Sequence, residues 1–317
     1  MFLVMLYSGL MLTITVLNNN TKFNTRLAAE MEDITPPVIE LNGGDNITLA
    51  VGDVIREPGT IIYDESSIPE VEIVSNVTTK VEGDYEIQYT AVDDSNNTTT
   101  ATRSVKVIRP TGKIYLTFDD GPGPYTDQLL DVLKKYGVKA TFFVTGAGDD
   151  ATIKREFDEG HAIGLHTASH NYSYIYASMD NFFADLYAVQ NRVKDITGYT
   201  SMLMRFPGGS SNTVSARYDG RHRIMSQLAP EVEKRGFTYF DWNVLSGDAG
   251  ETDSSDGVYN NVINALKEGG EYVVLQHDIK DFSVNAVERI IQYGLERGYI
   301  FDKLNADSFT AHHGVNN

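Results

Sequence analysis

Carboxylates, imidazoles and a guanidinium recur in this sequence just after short apolar runs, at positions where they could do chemistry. They are Asp119 and Asp120, His166 and His170, Arg205, Asp241 with Trp242, and His277 with Asp278. Two Asp side chains at the mouth of a buried strand are costly unless a metal, a cation or a catalytic role compensates their charge. An acidic turn that caps a helix starting near Tyr125 is the structural alternative.

The two histidines could bind a metal. His166 and His170 are four residues apart, so on a helical turn both imidazoles would point to one side. With Asp120 as third ligand they offer two nitrogens and one oxygen, which leaves an open position for water, as catalytic divalent metals require. A solvated histidine pair is the structural alternative.

Three further residues could handle protons around such a metal. Asp119 is left free to take a proton as a base. His277, which follows a different apolar run, could be the opposing acid. Arg205 could hold a carboxylate ionised, because a nearby cation favours the charged form of an acid.

Alternating strands and helices are predicted to bring these groups together. Apolar strands occur at 113–118, 140–144, 161–165, 202–206, 237–242, 271–276 and 299–301, and helices fit near 125–136, 150–159, 180–197, 219–235, 257–268 and 283–297. This order implies parallel strands covered by helices, in a barrel or an open sheet. We favour the barrel, because the polar groups follow many different strands, whose carboxyl ends all face one rim of a βα barrel.

A different pattern fills residues 36–109. Short β runs at 37–41, 47–49, 60–63, 71–74, 85–92 and 98–107 are separated by Gly, Asp and Pro turn residues, which predicts a small β-sandwich. The segment is similar to bacterial immunoglobulin-like surface domains. Because residues 36–108 carry 13 acidic and 4 basic side chains, a spacer or a weak wall-binding module fits better than a polyanion binder.

Five ordered motifs give the second half of the chain a more specific resemblance. They are TFDDGP at 117–122, HTASH at 166–170, RFPGG at 205–209, DW at 241–242 and LQH at 275–277. Residues 112–304, which contain them, resemble the polysaccharide deacetylases of carbohydrate esterase family 4. The resemblance implies a distorted (β/α) barrel with a divalent metal, most often Zn²⁺, although Co²⁺ or another transition metal would also fit.

The resemblance also implies a role for each group that could move a proton or bind the metal. Asp119 is the general base and His277 the general acid. The metal ligands are the three residues already named, Asp120, His166 and His170. Arg205 orients Asp119, and Asp241 keeps His277 protonated.

Three further positions are implied to contact the substrate. Trp242 and Leu275 line the pocket for the acetyl methyl group, and the backbone N–H of Gly208 holds the oxyanion. Many members of the family have Tyr where this chain has Gly208, so a side-chain contact from that position is lost.

The implied reaction is metal-dependent removal of an N-acetyl group from a polysaccharide, with release of acetate. Peptidoglycan N-acetylglucosamine is the expected substrate, and chitin oligomers or acetylated xylan are alternatives. An inactive carbohydrate-binding scaffold is a further alternative, although every ligand and acid–base position is filled. A serine esterase fits poorly, because the chain has no Gly-x-Ser-x-Gly elbow around its GGSS segment at 208–211.

The composition of the chain and its two ends allow further predictions. The absence of charged side chains from residues 1–17 predicts a membrane anchor or signal segment, or alternatively a buried core helix. Residues 18–35 are predicted to be a polar spacer, and residues 305–317 a tail. A formal net charge of −18 argues against nucleic-acid binding. The absence of Cys leaves His, Asp and Glu as metal ligands. We expect an extracellular protein, anchored or secreted, at the membrane face or in the wall.

Overall fold

The computed structural model describes residues 4–8, 11–15, 33–64, 69–220 and 223–317. The earliest described elements are strands β1 (Val4–Ser8) and β2 (Met11–Thr15), which pair antiparallel. The prediction of a helix over residues 1–17 is therefore wrong for these two stretches. β-branched residues such as Ile14 and Thr15 favour extended backbone there. The rest of the expected anchor and most of the expected spacer lie outside the described residues. Within the described part, no helix has the length and apolar character needed to cross a membrane.

The described residues of the immunoglobulin-like segment form six strands, close to the predicted positions. They are β3 (Val38–Leu41), β4 (Asn46–Ala50), β5 (Thr60–Tyr63), β6 (Val71–Ser75), β7 (Gly83–Val92) and β8 (Thr98–Ile108). β3 pairs with β5, and the other four form a sheet in the order β4-β8-β7-β6. Alternate residues of β7, namely Ile87, Tyr89 and Ala91, are buried, as expected of a strand with one face in a core.

The described residues form two compact units, which do not divide the chain at a single point. One comprises described residues within Met1–Glu40, Thr60–Val74 and Gln88–Ala101, and the other those within Leu41–Gly59, Ser75–Ile87 and Thr102–Asn317. In the second unit, the fully buried Arg103 donates hydrogen bonds to the carbonyls of Asn42, Gly44 and Gly59. This side chain therefore links two loops of the immunoglobulin-like segment.

Parallel strands form the sheet that carries the predicted site. They are β9 (Gly112–Asp119), β10 (Thr141–Val144), β11 (Ala162–Leu165), β12 (Leu203–Met204), β13 (Thr238–Tyr239), β14 (Val244–Leu245), β15 (Glu271–His277) and β16 (Tyr299–Phe301). Their order is β13-β12-β11-β10-β9-β15-β14, with β16 on the first half of β9. The fold is an immunoglobulin-like segment followed by a parallel-strand half-barrel, which confirms the predicted fold class.

Helices cover the outside of this sheet. They are α1 (Thr126–Lys135), α2 (Asp150–Asp158), α3 (Tyr172–Ile175), α4 (Met179–Thr197), α5 (Ile224–Lys234), α6 (Ser255–Ala265) and α7 (Asp281–Glu296), with a 3₁₀ helix at Val214–Arg217. The sequence predicts all of these α-helices except the single-turn α3. Ser178 caps α4 by accepting a hydrogen bond from the Asn181 N–H, and left-handed Gly198 ends it.

The central strand β9 shows how the sheet divides core from site. Ile114, Leu116 and Phe118 belong to the large core beneath the helices. Tyr115, on the opposite face, belongs to a smaller interior cluster. Because side chains alternate along a strand, Asp119 shares that interior face with Tyr115.

The segment 305–317, predicted as a tail, packs against the half-barrel. The Thr310 carbonyl accepts a hydrogen bond from the Asp241 N–H, and the His312 ring stacks on Tyr239 with centroids 3.8 Å apart. The Asn317 side chain donates to the Asn212 carbonyl at 2.7 Å. These residues are part of the folded structure.

Candidate active site

Two adjacent carboxylates lie where β9 leaves the sheet. Asp119 is its last residue and is almost fully buried, whereas Asp120 begins the following loop with a left-handed φ of 72°. This backbone conformation is uncommon for a residue with a side chain. Both carboxylates approach His166, whose Nε2 lies 3.7 Å from Asp119 Oδ2 and 3.7 Å from Asp120 Oδ1.

Asp120 meets both predicted histidine ligands. Its Oδ1 lies 3.4 Å from His170 Nε2 and 3.7 Å from His166 Nε2, and the potential ligand atoms of the three residues lie within 4.8 Å of one another. Oδ1 is buried and accepts no hydrogen bond from the described residues. A buried carboxylate oxygen without a donor and facing two imidazole nitrogens fits a bound cation. The three residues therefore suit a divalent metal.

The histidines converge for a reason other than the one the spacing suggested. The residues from His166 to His170 form a loop, and the predicted helical turn is absent from it. Thr167 and His170 have left-handed φ values of 64° and 48°. The loop is held from α4, where the Asp185 carboxylate accepts a hydrogen bond from the Ser169 N–H. Left-handed backbone thus occurs both at Asp120 and in the loop from His166 to His170. Such strain is typical of a functional site.

The protonation of the two imidazoles suits metal binding. His166 Nδ1 donates to the Arg205 carbonyl at 2.8 Å, which leaves Nε2 free to bind a metal as a neutral ligand. Burial, followed by the neighbouring His166, lowers the pKa of His170 below its ordinary value. The neutral form that a metal requires is therefore favoured.

Arg205 is the buried partner of Asp119. Its Nη1 donates to Asp119 Oδ1 at 2.8 Å and to Thr117 Oγ1 at 2.7 Å, and its other nitrogens donate to the carbonyls of Phe240 and Asp241. The guanidinium is fully buried. This places the positive charge where the prediction put it, in contact with Asp119.

Asp248, which the sequence analysis missed, is the partner of His277. His277 Nδ1 donates to Asp248 Oδ1 at 2.8 Å, while Asp248 Oδ2 accepts from the His277 N–H and the Ser283 hydroxyl. Burial alone would lower the pKa of His277, but the hydrogen bond and charge of Asp248, with smaller effects of Asp119 and Asp120, raise it above its ordinary value. The imidazolium is therefore favoured.

The predicted pairing of Asp241 with His277 is wrong. Asp241 is fully buried and accepts from the Ser210 N–H at 2.8 Å, from the Ser210 hydroxyl, and from the His313 N–H at 2.8 Å. It thus fixes the loop that contains Gly208. Asp248 follows β14, which lies outside every strand that the sequence predicts.

Two of the positions implied to contact substrate, Gly208 and Trp242, lie in or beside this loop. Trp242 contacts Arg205, whose guanidinium is 5.7 Å from its ring, and a Cβ added at Gly209 would come within 2.9 Å of the indole. Leu275 is nearly buried on β15, two residues before His277 and therefore on the same face. Gly208 has a left-handed φ of 78°. Their substrate contacts remain predictions.

Asp278 has a different environment from its neighbour His277. It is fully buried and accepts a hydrogen bond from the Thr126 hydroxyl. Burial raises the pKa of Asp278 to about 7. A Cβ added at Gly121 would overlap its carboxylate, so glycine is needed there. Asp278 supports the loop after Asp120.

The groups form two pairs beside the ligand set. His166 Nε2 lies 3.7 Å from Asp119 Oδ2, and His277 Nε2 lies 3.9 Å from Asp120 Oδ2. A carboxylate paired with arginine and an imidazole paired with a carboxylate can act as base and acid on one substrate. A half-barrel with these groups at one rim defines a hydrolytic enzyme.

Comparisons with known proteins agree with this class. The family model for the bacterial surface protein Ig-like domain matches residues 39–107, and the model for polysaccharide deacetylase matches residues 106–224. The solved catalytic domain of peptidoglycan N-acetylglucosamine deacetylase from Eubacterium rectale is 52% identical, with a TM-score of 0.63, and the match covers 65% of this chain and 94% of that one.

Two relatives extend the comparison. Peptidoglycan-N-acetylglucosamine deacetylase of Bacillus cereus is 34% identical over 203 residues, which is 61% of this chain and 70% of that protein. The deacetylase PgdA of Listeria monocytogenes is 28% identical over 320 residues, covering 93% of this chain and 61% of that protein. The chain belongs to the polysaccharide deacetylase family, and it is a hydrolase of carbohydrate esterase family 4.

Proposed function

We propose that this enzyme removes the N-acetyl group from N-acetylglucosamine residues of peptidoglycan and releases acetate. The observation that carries the proposal is a set of two proton-transfer pairs, Asp119 with Arg205 and His277 with Asp248, next to the Asp120, His166 and His170 ligand set. The named relatives, which are deacetylases of peptidoglycan, support the substrate.

Asp119 acts as the base. Its Oδ1 is held by Arg205, so Oδ2 is the oxygen that takes a proton from the attacking water. The oxygen of that water then forms a bond with the amide carbon. The buried guanidinium keeps the carboxylate in one orientation during this transfer.

His277 acts as the acid. Its Nδ1 is engaged by Asp248, which leaves the Nε2 proton for the sugar nitrogen. Breakage of the carbon–nitrogen bond then yields acetate and a free amine on the sugar. The Gly208 N–H stabilises the carbonyl oxygen as it gains negative charge.

Asp120, His166 and His170 hold the metal, which we propose to be Zn²⁺, since two imidazoles and one carboxylate suit this ion. When bound, the metal polarises the acetyl carbonyl and lowers the pKa of a water molecule. We further propose that the enzyme acts outside the cell, where peptidoglycan lies. The immunoglobulin-like segment, which matches a surface-protein family, supports this location.

Acetate release from purified peptidoglycan, chitin oligomers and acetylated xylan tests the proposal. We expect the fastest release from peptidoglycan, loss of activity after chelation and recovery when Zn²⁺ is added. Faster release from chitin oligomers or xylan would contradict the substrate. Full activity after the metal has been removed and shown to be absent would contradict the role of the ligand set.

A further inference from the structure

Gly208 has an unusual neighbour, the hydroxyl of Tyr172. A Cβ added at Gly208 would lie 2.8 Å from Tyr172 Oη and 3.4 Å from Tyr172 Cε1. The phenol therefore occupies the space that a side chain at position 208 would enter. Because Gly208 itself is exposed, this hydroxyl lies beside the open part of the site.

The ring of Tyr172 is held in place by two aromatic neighbours. It makes edge contacts with His170, at a centroid distance of 5.4 Å, and with Tyr176, at 5.6 Å. Tyr176 in turn donates a hydrogen bond to the Pro207 carbonyl at 2.7 Å. The phenol thus lies between the rings of His170, a metal-ligand position, and Tyr176, which is bonded to the residue before Gly208.

The hydroxyl of Tyr172 has no hydrogen-bond partner within the described part of the chain. This differs from Tyr176, whose ring lies beside it and whose hydroxyl is used to hold the loop. A half-buried phenol that is rigidly placed, yet makes no hydrogen bond to protein, can donate its proton to a bound molecule.

We infer that the Tyr172 hydroxyl donates a hydrogen bond to the acetyl carbonyl oxygen as that oxygen gains negative charge, next to the Gly208 N–H. The inference rests on the proposed function. It assigns to Tyr172 a direct contact with the reacting group, made by a side chain that approaches from α3 over the glycine. Donors aimed at developing negative charge contribute more in the transition state than in the ground state.

The variant Tyr172→Phe removes this hydroxyl and keeps the ring. We expect kcat to fall about 10- to 100-fold, somewhat less than the largest losses seen when one such donor is removed, with KM and bound Zn²⁺ unchanged. Tyr174→Phe is the matched control, because Tyr174 lies on the same short helix and is 44% exposed; it should retain wild-type kcat. A kcat for Tyr172→Phe within about twofold of wild type, or a loss confined to KM, would overturn the inference.

Gly208→Ala provides a second test, because the added methyl group meets the Tyr172 hydroxyl. We expect this substitution to lower kcat by a larger factor in the wild-type background than in Tyr172→Phe, where the hydroxyl is missing. Backbone strain at φ 78° is the same in both backgrounds and therefore cancels in the comparison. Equal factors in the two backgrounds would contradict the proposed position of the hydroxyl.

A binding measurement separates this inference from the proposed function. A methylphosphonamidate analogue of an N-acetylglucosamine oligomer carries a tetrahedral anion in place of the acetyl group. Tyr172→Phe should weaken binding of this analogue about tenfold or more and leave binding of the unmodified oligomer unchanged. Equal weakening of both, or no weakening, would overturn the role of Tyr172. A lack of acetate release by the wild-type enzyme would instead contradict the proposed function.

Discussion

The two sides of the active site fix their proton-transfer groups with partners of opposite charge. On one side the Asp119 carboxylate contacts the buried Arg205 guanidinium, and on the other the His277 imidazole contacts the buried Asp248 carboxylate. In both pairs the partner is more deeply buried than the reacting group. The buried partner therefore fixes the orientation of the more accessible group.

The two pairs differ in how they respond to pH. Arginine remains charged at every pH at which the protein is folded, so the support for Asp119 is constant. The pKa of His277 is raised, chiefly by Asp248 working against burial. The acid is therefore present below this raised pKa and is lost as the pH rises through it, which sets the alkaline limit of activity.

The same pair links pH to stability. Because the pKa of His277 is raised in the folded state, its interaction with Asp248 contributes fully below the unfolded pKa, about 6.5. This contribution is lost as the pH rises through the folded value. The pKa of Asp248 is lowered, by hydrogen bonds from His277 and Ser283 that outweigh burial, so its own contribution is lost at acid pH.

The largest effect is expected on the arginine side. Asp119→Asn keeps the shape of the side chain and an oxygen that can accept from Arg205, but it removes the base. We expect kcat for acetate release to fall about 10²- to 10⁴-fold, with Zn²⁺ content retained. Near-normal turnover by this variant would show that another group takes the proton.

A smaller effect, with a change in pH dependence, is expected on the imidazole side. Asp248→Asn removes the charge that raises the pKa of His277, so the alkaline limb of the kcat–pH profile should move to lower pH. We also expect kcat at neutral pH to fall about 10- to 100-fold. An alkaline limb that stays in place would contradict the assignment of Asp248 as the partner of His277.

The smallest effect is expected at Asp241, which belongs to neither pair. Asp241→Asn should lower kcat only a few-fold, through loosening of the loop that contains Gly208, and leave the alkaline limb unchanged. It should also reduce the free energy of unfolding by about 1.5–3 kcal/mol, because hydrogen bonds to a buried charge are weakened. A shifted alkaline limb in this variant would restore the role first predicted for Asp241.

The residues found from sequence lie in or just after apolar runs that were predicted as strands. Asp119 ends an eight-residue strand and His277 ends a seven-residue strand, and both lie at the predicted rim. Asp248 follows β14, which lies outside every run predicted as a strand. Tyr172 is absent from the residues predicted for the site, because nothing in the sequence relates it to Gly208.

The sequence by itself determined the order of strands and helices and the types of group that reach the rim, because side-chain alternation and turn residues act over a few neighbours. Only the tertiary structure decided which carboxylate faces His277, since Asp241 and Asp248 are both aspartates that follow strands of one sheet. It also decided how the two histidines converge, through left-handed backbone at Thr167 and His170. These choices depend on distances across the half-barrel, which local sequence spacing does not encode.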